Sequence, residues 1–172
     1  MYSPEVLFIF AVAVLAGVSA HENGAPCDAC EHLIPDHGIP PQDCECPWTL
    51  RFSKRRVKSG DCVNATIRAK RGYEDTHFKG YVIKCTIDGA AVGTWESYDC
   101  NSHVMNCGTG TGNAITHSNP EDKTCVTAKI IAPEVCQDTL LECTTTVVKS
   151  HDYYWVNCSK KYLRVIPSSS IS

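Results

Sequence analysis

No enzyme signature interrupts this 172-residue chain. A G-x-S-x-G nucleophile elbow is missing, and so is an H-E-x-x-H metal pair. The glycine stretch Gly108 to Gly112 lacks the Lys-Ser/Thr that completes a phosphate loop. Past Leu15 there is no second long apolar run, and no segment holds a helical period. There is no internal repeat and no low-complexity linker. Neither sign of charge dominates: 16 Lys and Arg against 19 Asp and Glu give a formal net charge of −3, which excludes bulk attraction to nucleic acid. The final residues, 167–172, lack the hydrophobic tail of a lipid-anchor signal.

What is present points to export. Val6 to Leu15 is an unbroken apolar run, and Val18, Ser19 and Ala20 are small enough for cleavage after Ala20. The apolar stretch, about 15 residues, is short of the roughly 20 that cross a bilayer. The expected layout is a signal segment over residues 1–20, one domain over 21–166 and a short flexible tail over 167–172, with an extracellular product. All 12 cysteines follow the leader, at Cys27, Cys30, Cys44, Cys46, Cys62, Cys85, Cys100, Cys107, Cys125, Cys136, Cys143 and Cys158. An even, dispersed set in an exported chain reads as disulfides. Their pairing stays open, because 12 cysteines allow on the order of ten thousand connectivities.

Residues 21–47 carry five prolines and four cysteines, so they read as an irregular arm, neither helix nor inner strand. Trp48, Leu50 and Phe52 then alternate with polar residues, the period of a half-buried strand. Residues 54–60 read as an exposed turn. Strands are expected at Cys62 to Ala69, at Phe78 to Ile87 and, extended, at Ala90 to Trp95. Tyr98 to Gly112 reads as a loop. Further strands are expected at Cys125 to Ile131, Leu140 to Val148, Tyr153 to Val156 and Tyr162 to Ile166. About seven or eight short strands separated by turn signals suggest an antiparallel β-sandwich. Phe78 to Ile87 is the expected inner strand.

The order of motifs resembles one family. Gly24, Ala25 and Pro26, then Ala29 and Cys30, then Pro35 to Gly38 with Pro41 and Gln42, resemble the start of a reeler (reelin N-terminal-like) domain. Phe78 to Tyr81 is similar to its aromatic-x-Gly-aromatic strand. Gly93 to Trp95, Cys107 with Ala114 to Asn119, Ala132 and Pro133 with Cys136, and Thr146 to Val148 leading to Tyr153 to Val156 complete the pattern. The resemblance implies an immunoglobulin-like β-sandwich. A single such domain behind a leader is similar to the secreted defense proteins of arthropods, which implies innate immunity and binding to microbial surfaces without catalysis. The departures are Leu33 where a methionine is usual, Ile130 and Ile131 where an aromatic is common, and more cysteines than the family's usual few. A matrix or signalling module and a cysteine-rich inhibitor are the alternatives.

Several residues invite a sharper role. Lys54, Arg55, Arg56 and Lys58 form the densest basic cluster, suited to anionic lipopolysaccharide, teichoic acid or sulfated glycan through guanidinium pairing. Its plain alternative is a solvated hairpin. Cys27 and Cys30 with His32 and His37 could ligate zinc, but export oxidises thiols, so no metal and no cofactor is expected. His117, between Thr116 and Ser118, reads as part of a structural turn rather than as a catalytic base. Trp155 reads as core. Asn64, with Ala65 and Thr66, is an acceptor sequence for glycosylation.

Overall fold

Alternation decides the strands. In the segment Cys62–Ala69, Val63, Ala65 and Ile67 are buried while Asn64 and Arg68 are exposed. Cys125–Ile131 repeats this with Val126, Ala128 and Ile130 inside, and the two segments pair antiparallel with Ala65 opposite Ala128. The computed structural model describes residues 23–168. The expected leader and the end of the tail lie outside them.

Eleven strands follow a one-turn helix, α1 (Ala29–His32). They are β1 (Trp48–Phe52), β2 (Arg56–Lys58), β3 (Cys62–Ala69), β4 (Gly80–Ile87), β5 (Ala90–Val92), β6 (Thr94–Ser97), β7 (Ser102–Met105), β8 (Ala114–His117), β9 (Cys125–Ile131), β10 (Thr139–Ser150) and β11 (Tyr153–Ile166). The smaller sheet runs β1-β3-β9-β6. The larger runs β2-β11-β10-β4-β8-β7, with β5 beside β4. Side chains from both sheets meet in one core, which includes Trp48, Ile67 and Trp95 from the smaller and Tyr81, Leu141 and Leu163 from the larger. Trp155 joins it, edge-on to Trp48 at 5.5 Å between ring centres. Each such side chain contributes about 1.5–3 kcal/mol on burial.

The fold is mostly β and disulfide-stapled, and it departs from the expected sandwich in identifiable places. Eleven strands replace seven or eight, and β2 pairs with β11 in parallel. Residues 56–58 form a strand rather than a turn because Val57 between two basic residues reaches the core, at 4 % exposure. The loop expected over Tyr98 to Gly112 contains β7, and His117 ends β8 instead of sitting in a turn. The arm holds one helical turn, closed by Leu33 in the left-handed region at φ 59°. Tyr153 to Val156 and Tyr162 to Ile166 are one strand. A register shift between Thr145 and Val147, with Asn157 at φ 53°, had hidden that continuity. The extended run expected over Ala90 to Trp95 falls in two strands in different sheets. It bends at Gly93 (φ +82°), where a β-carbon would meet Ile130 at 2.9 Å.

Three disulfides form: Cys30–Cys107, Cys46–Cys158 and Cys85–Cys143. The first two tie the arm to the body, and the third bridges β4 and β10 where the two residues face each other. Cys27, Cys44, Cys62, Cys100, Cys125 and Cys136 are exposed and free, against the expectation that all 12 pair. Burial separates the two groups. The bridged cysteines are buried, or half-buried at Cys158, whereas the free ones stand on the surface.

Candidate functional site

The outer face of the larger sheet is covered over one half and open over the other. On β10 the outward residues are Leu140, Glu142, Thr144, Thr146 and Val148, since Leu141, Cys143 and Val147 belong to the core. The arm covers the Thr146 end. Leu33 and Cys30 pack on Val82, Met105, Cys107 and Ala114, and the Thr146 hydroxyl donates to the Leu33 carbonyl at 2.7 Å. Lys84 marks the border. Its ammonium donates to the carbonyls of Cys30 and Glu31, both at 2.6 Å, and burial holds its pKa below the usual lysine value. Gly80 lies beneath the His117 ring, so the glycine serves close packing. His117 Nδ1 accepts from the Tyr81 backbone N–H at 3.3 Å.

The far end of the arm is held by the β10–β11 turn. The imidazoles of His37 and His151 stack at 4.8 Å, His37 Nδ1 meets the His151 carbonyl at 2.8 Å, and Tyr154 donates its hydroxyl to Ile39. Gln42 N–H donates to the Tyr154 carbonyl at 2.9 Å. Burial pulls the His37 pKa below its ordinary value of 6.5, opposed by the hydrogen bond to His151.

The open half gathers residues far apart in sequence. Leu140 stands opposite Arg164, and Glu142 opposite Tyr162. Leu140 and Tyr162 are 52 % and 51 % exposed. Parallel pairing then sets Arg56 beside Arg164 and Lys58 beside Ile166. Arg164 is paired with Asp138 at 3.2 Å and Lys160 with Glu142 at 2.7 Å. The lysine's presence holds the Glu142 carboxyl below its usual range. Among the described residues Lys54, Arg55, Arg56 and Lys58 make no ion pair and are all exposed. The strand brings Arg56 and Lys58 to this face, while Lys54 and Arg55 stay in the β1–β2 connection. Register, not local sequence, assembles the cluster with Tyr162 and Leu140.

The remaining candidates separate cleanly. No group of three or more His, Cys, Asp and Glu side chains among the described residues is placed to hold a metal. Cys30 is bridged while Cys27 is exposed. Asn64 is exposed on β3, its side-chain oxygen accepting from the Tyr98 hydroxyl at 2.7 Å. One feature gave no signal in the sequence. Lys123, 6 % exposed, points its ammonium at oxygens of Lys79, Asn119 and Glu121, between 2.7 and 2.9 Å away.

Comparison with known proteins agrees with this architecture. The reeler domain matches residues 28–170. "Putative defense protein 3" of Antheraea mylitta is 32% identical over 154 residues, covering 88% of this chain and 92% of that one. "Putative defense protein 2" of the same moth is 34% identical over 84% and 90% of the two chains. "Putative ferric-chelate reductase 1" of Danio rerio is 27% identical over 90% of this chain, which spans only 27% of that protein. Among solved structures, the human F-spondin reeler domain superposes with a TM-score of 0.59 at 16% identity, covering 73% of this chain and 94% of that domain. A match over most of the length, in sequence and in strand order, has one meaning: the chain belongs to the reeler family.

Proposed function

We propose that this is a secreted protein of extracellular defense that recognises anionic, glycan-bearing microbial surfaces and performs no chemical turnover. The observation that carries the reading is the end-to-end likeness to one-domain proteins named for defense, with 92% of the moth protein covered. The open half of the larger sheet supplies a suitable surface. Arg56, Lys58 and the adjoining Lys54 and Arg55 offer unpaired cations, and Tyr162 with Leu140 offers an exposed apolar platform for sugar rings. Guanidinium forks suit phosphate and sulfate. The two-sheet core supports the finer description of an immunoglobulin-like sandwich, and Asn64, on the smaller sheet, is the position that would carry a glycan.

Adsorption of the purified protein to whole bacteria tests the reading. Wild type is compared with a variant in which Lys54, Arg55, Arg56 and Lys58 are all replaced by Gln. Binding that falls and that weakens with added salt in the wild type supports it. Unchanged adsorption by the variant overturns it.

A further inference from the structure

A cavity of about 250 Å³ lies between the arm and the covered half of the sheet. We propose that it binds a small amphiphile: a short acyl or aromatic group carrying a single acidic head. The site is separate from the basic face discussed above, and the proposal does not depend on that face.

The cavity is a consequence of the sequence. Its floor is the β4–β10 ladder, where Val82 faces Thr146 and Gly80 faces Val148. The His117 ring packs over Gly80 and forms one wall. The prolines Pro26 and Pro35, with Ala29 and Leu33, form the apolar roof. At the Val82 end the polar groups are already committed. Thr146 donates to Leu33, and the Thr116 hydroxyl donates to the Tyr81 carbonyl at 2.7 Å. That end is apolar.

The other end has the opposite character. One step beyond Gly80 and Val148, Lys79 N–H donates to the Val148 carbonyl at 2.9 Å. Lys79, Ser150, His151 and His37 all line the cavity there. Lys79 makes no ion pair among the described residues, and Asp36 is the single acidic residue in the lining. The cavity therefore runs from apolar to polar along one ladder, which complements an amphiphile, and Lys79 is the lining group that would meet an acidic head. At about 30 Å³ per displaced water, its volume corresponds to on the order of ten non-hydrogen atoms. The groups facing the His37 ring are His151, Tyr154, Asp36 and Asp152. Asp152 is itself hydrogen-bonded to His151 at 2.9 Å.

Isothermal titration calorimetry with the full secreted chain tests the site, using octanoate, 1-octanol and octylammonium as probes. Octanoate is expected to bind, with octylammonium weaker by about tenfold or more. Lys79→Gln, at an exposed position that does not endanger folding, brings octanoate down to the level of octanol. Val148→Trp, checked for an unchanged melting profile, fills the floor and abolishes binding of both. The variant neutralised at Lys54, Arg55, Arg56 and Lys58 keeps octanoate affinity, so the two sites fail or stand separately. Equal binding of octanoate and octylammonium, or octanoate binding indifferent to Lys79→Gln and Val148→Trp, overturns the proposal.

Discussion

A β-carbon at position 80 would lie 3.0 Å from Cε1 of His117 and 3.2 Å from its Nε2. The ring has little freedom to withdraw, since its Nδ1 is within reach of the Tyr81 N–H and the Thr116 hydroxyl. Gly80→Ala is therefore expected to destabilise the fold by about 1–3 kcal/mol, the usual cost of overpacking. Urea denaturation measures it as a lowered midpoint at unchanged slope. Wild-type stability would show that the ring yields.

Lys123 is the second position where one side chain fixes a segment. Its ammonium gathers the backbone carbonyls of Lys79, Asn119 and Glu121 and the Asn119 side-chain oxygen. Lys123→Met keeps the stem and removes the donors, leaving partly buried acceptors unmet. A loss of about 2–3 kcal/mol is expected, together with faster amide exchange across residues 118–123. A melting temperature equal to wild type would contradict this role.

Acid should loosen the arm. Burial lowers the His37 pKa from 6.5, so the unfolded or undocked state binds the proton more readily than the docked state. The sign follows: docking is fully favoured above the undocked pKa, weakens as pH falls through about 6.5, and levels off below the lowered docked value. Protection from hydrogen exchange in residues 36–42, relative to the intrinsic rate at each pH, is expected to fall between pH 7.5 and 5.5. His37→Phe, which can still stack on His151 but cannot titrate, removes the difference. Identical pH dependence in wild type and variant would reject His37 as the cause.

The exposed thiols offer a chemical check. The β6–β9 ladder runs from Thr94 opposite Ile131 to Ser97 opposite Ala128; Cys125 begins β9, and Cys100 lies in the turn three residues past the end of β6. Burial lowers the Lys123 pKa, and Asp99, next to Cys100, is near enough to Lys123, two residues from Cys125, to oppose that shift. Thiol–disulfide exchange with an export-compartment disulfide is expected to join the two, each thiol losing its proton as the donor disulfide is reduced. Peptide mapping without reductant should recover a Cys100–Cys125 crosslink, and Cys100→Ser should leave Cys125 open to alkylation. Alkylation of both in the native protein would refute the pairing.

Much of the fold was readable where one strand carries its own pattern. Cys62–Ala69 and Cys125–Ile131 alternate over seven or eight residues, and their bounds match the expectation. Residues 56–58 and 102–105 did not announce themselves, because strands this short owe their existence to a neighbour's hydrogen bonds rather than to their own period. The same reason divides the sites. The cations at 54–58 are adjacent in sequence and visible. Their approach to Tyr162 and Leu140 depends on a parallel pairing and on the β10–β11 register, which no local pattern encodes. The cavity was hidden for another reason: its walls come from the proline-rich arm, the His117 ring and the β4–β10 ladder, segments far apart in the sequence.

Gly93 has a consequence for how these molecules behave in a crowd. The bend there stitches one flank of the sandwich, and Trp95 N–H is satisfied by the Gly112 carbonyl at 2.8 Å. On the opposite flank the chain crosses directly from β1 to β2 through residues 53–55, and Arg164 N–H donates to the Arg55 carbonyl at 3.0 Å. Both outer strands of the smaller sheet thus turn straight into the larger one, leaving little unpaired margin for a second copy to extend by strand addition. A second copy approaching either flank would meet a chain crossing between the sheets rather than a free strand end.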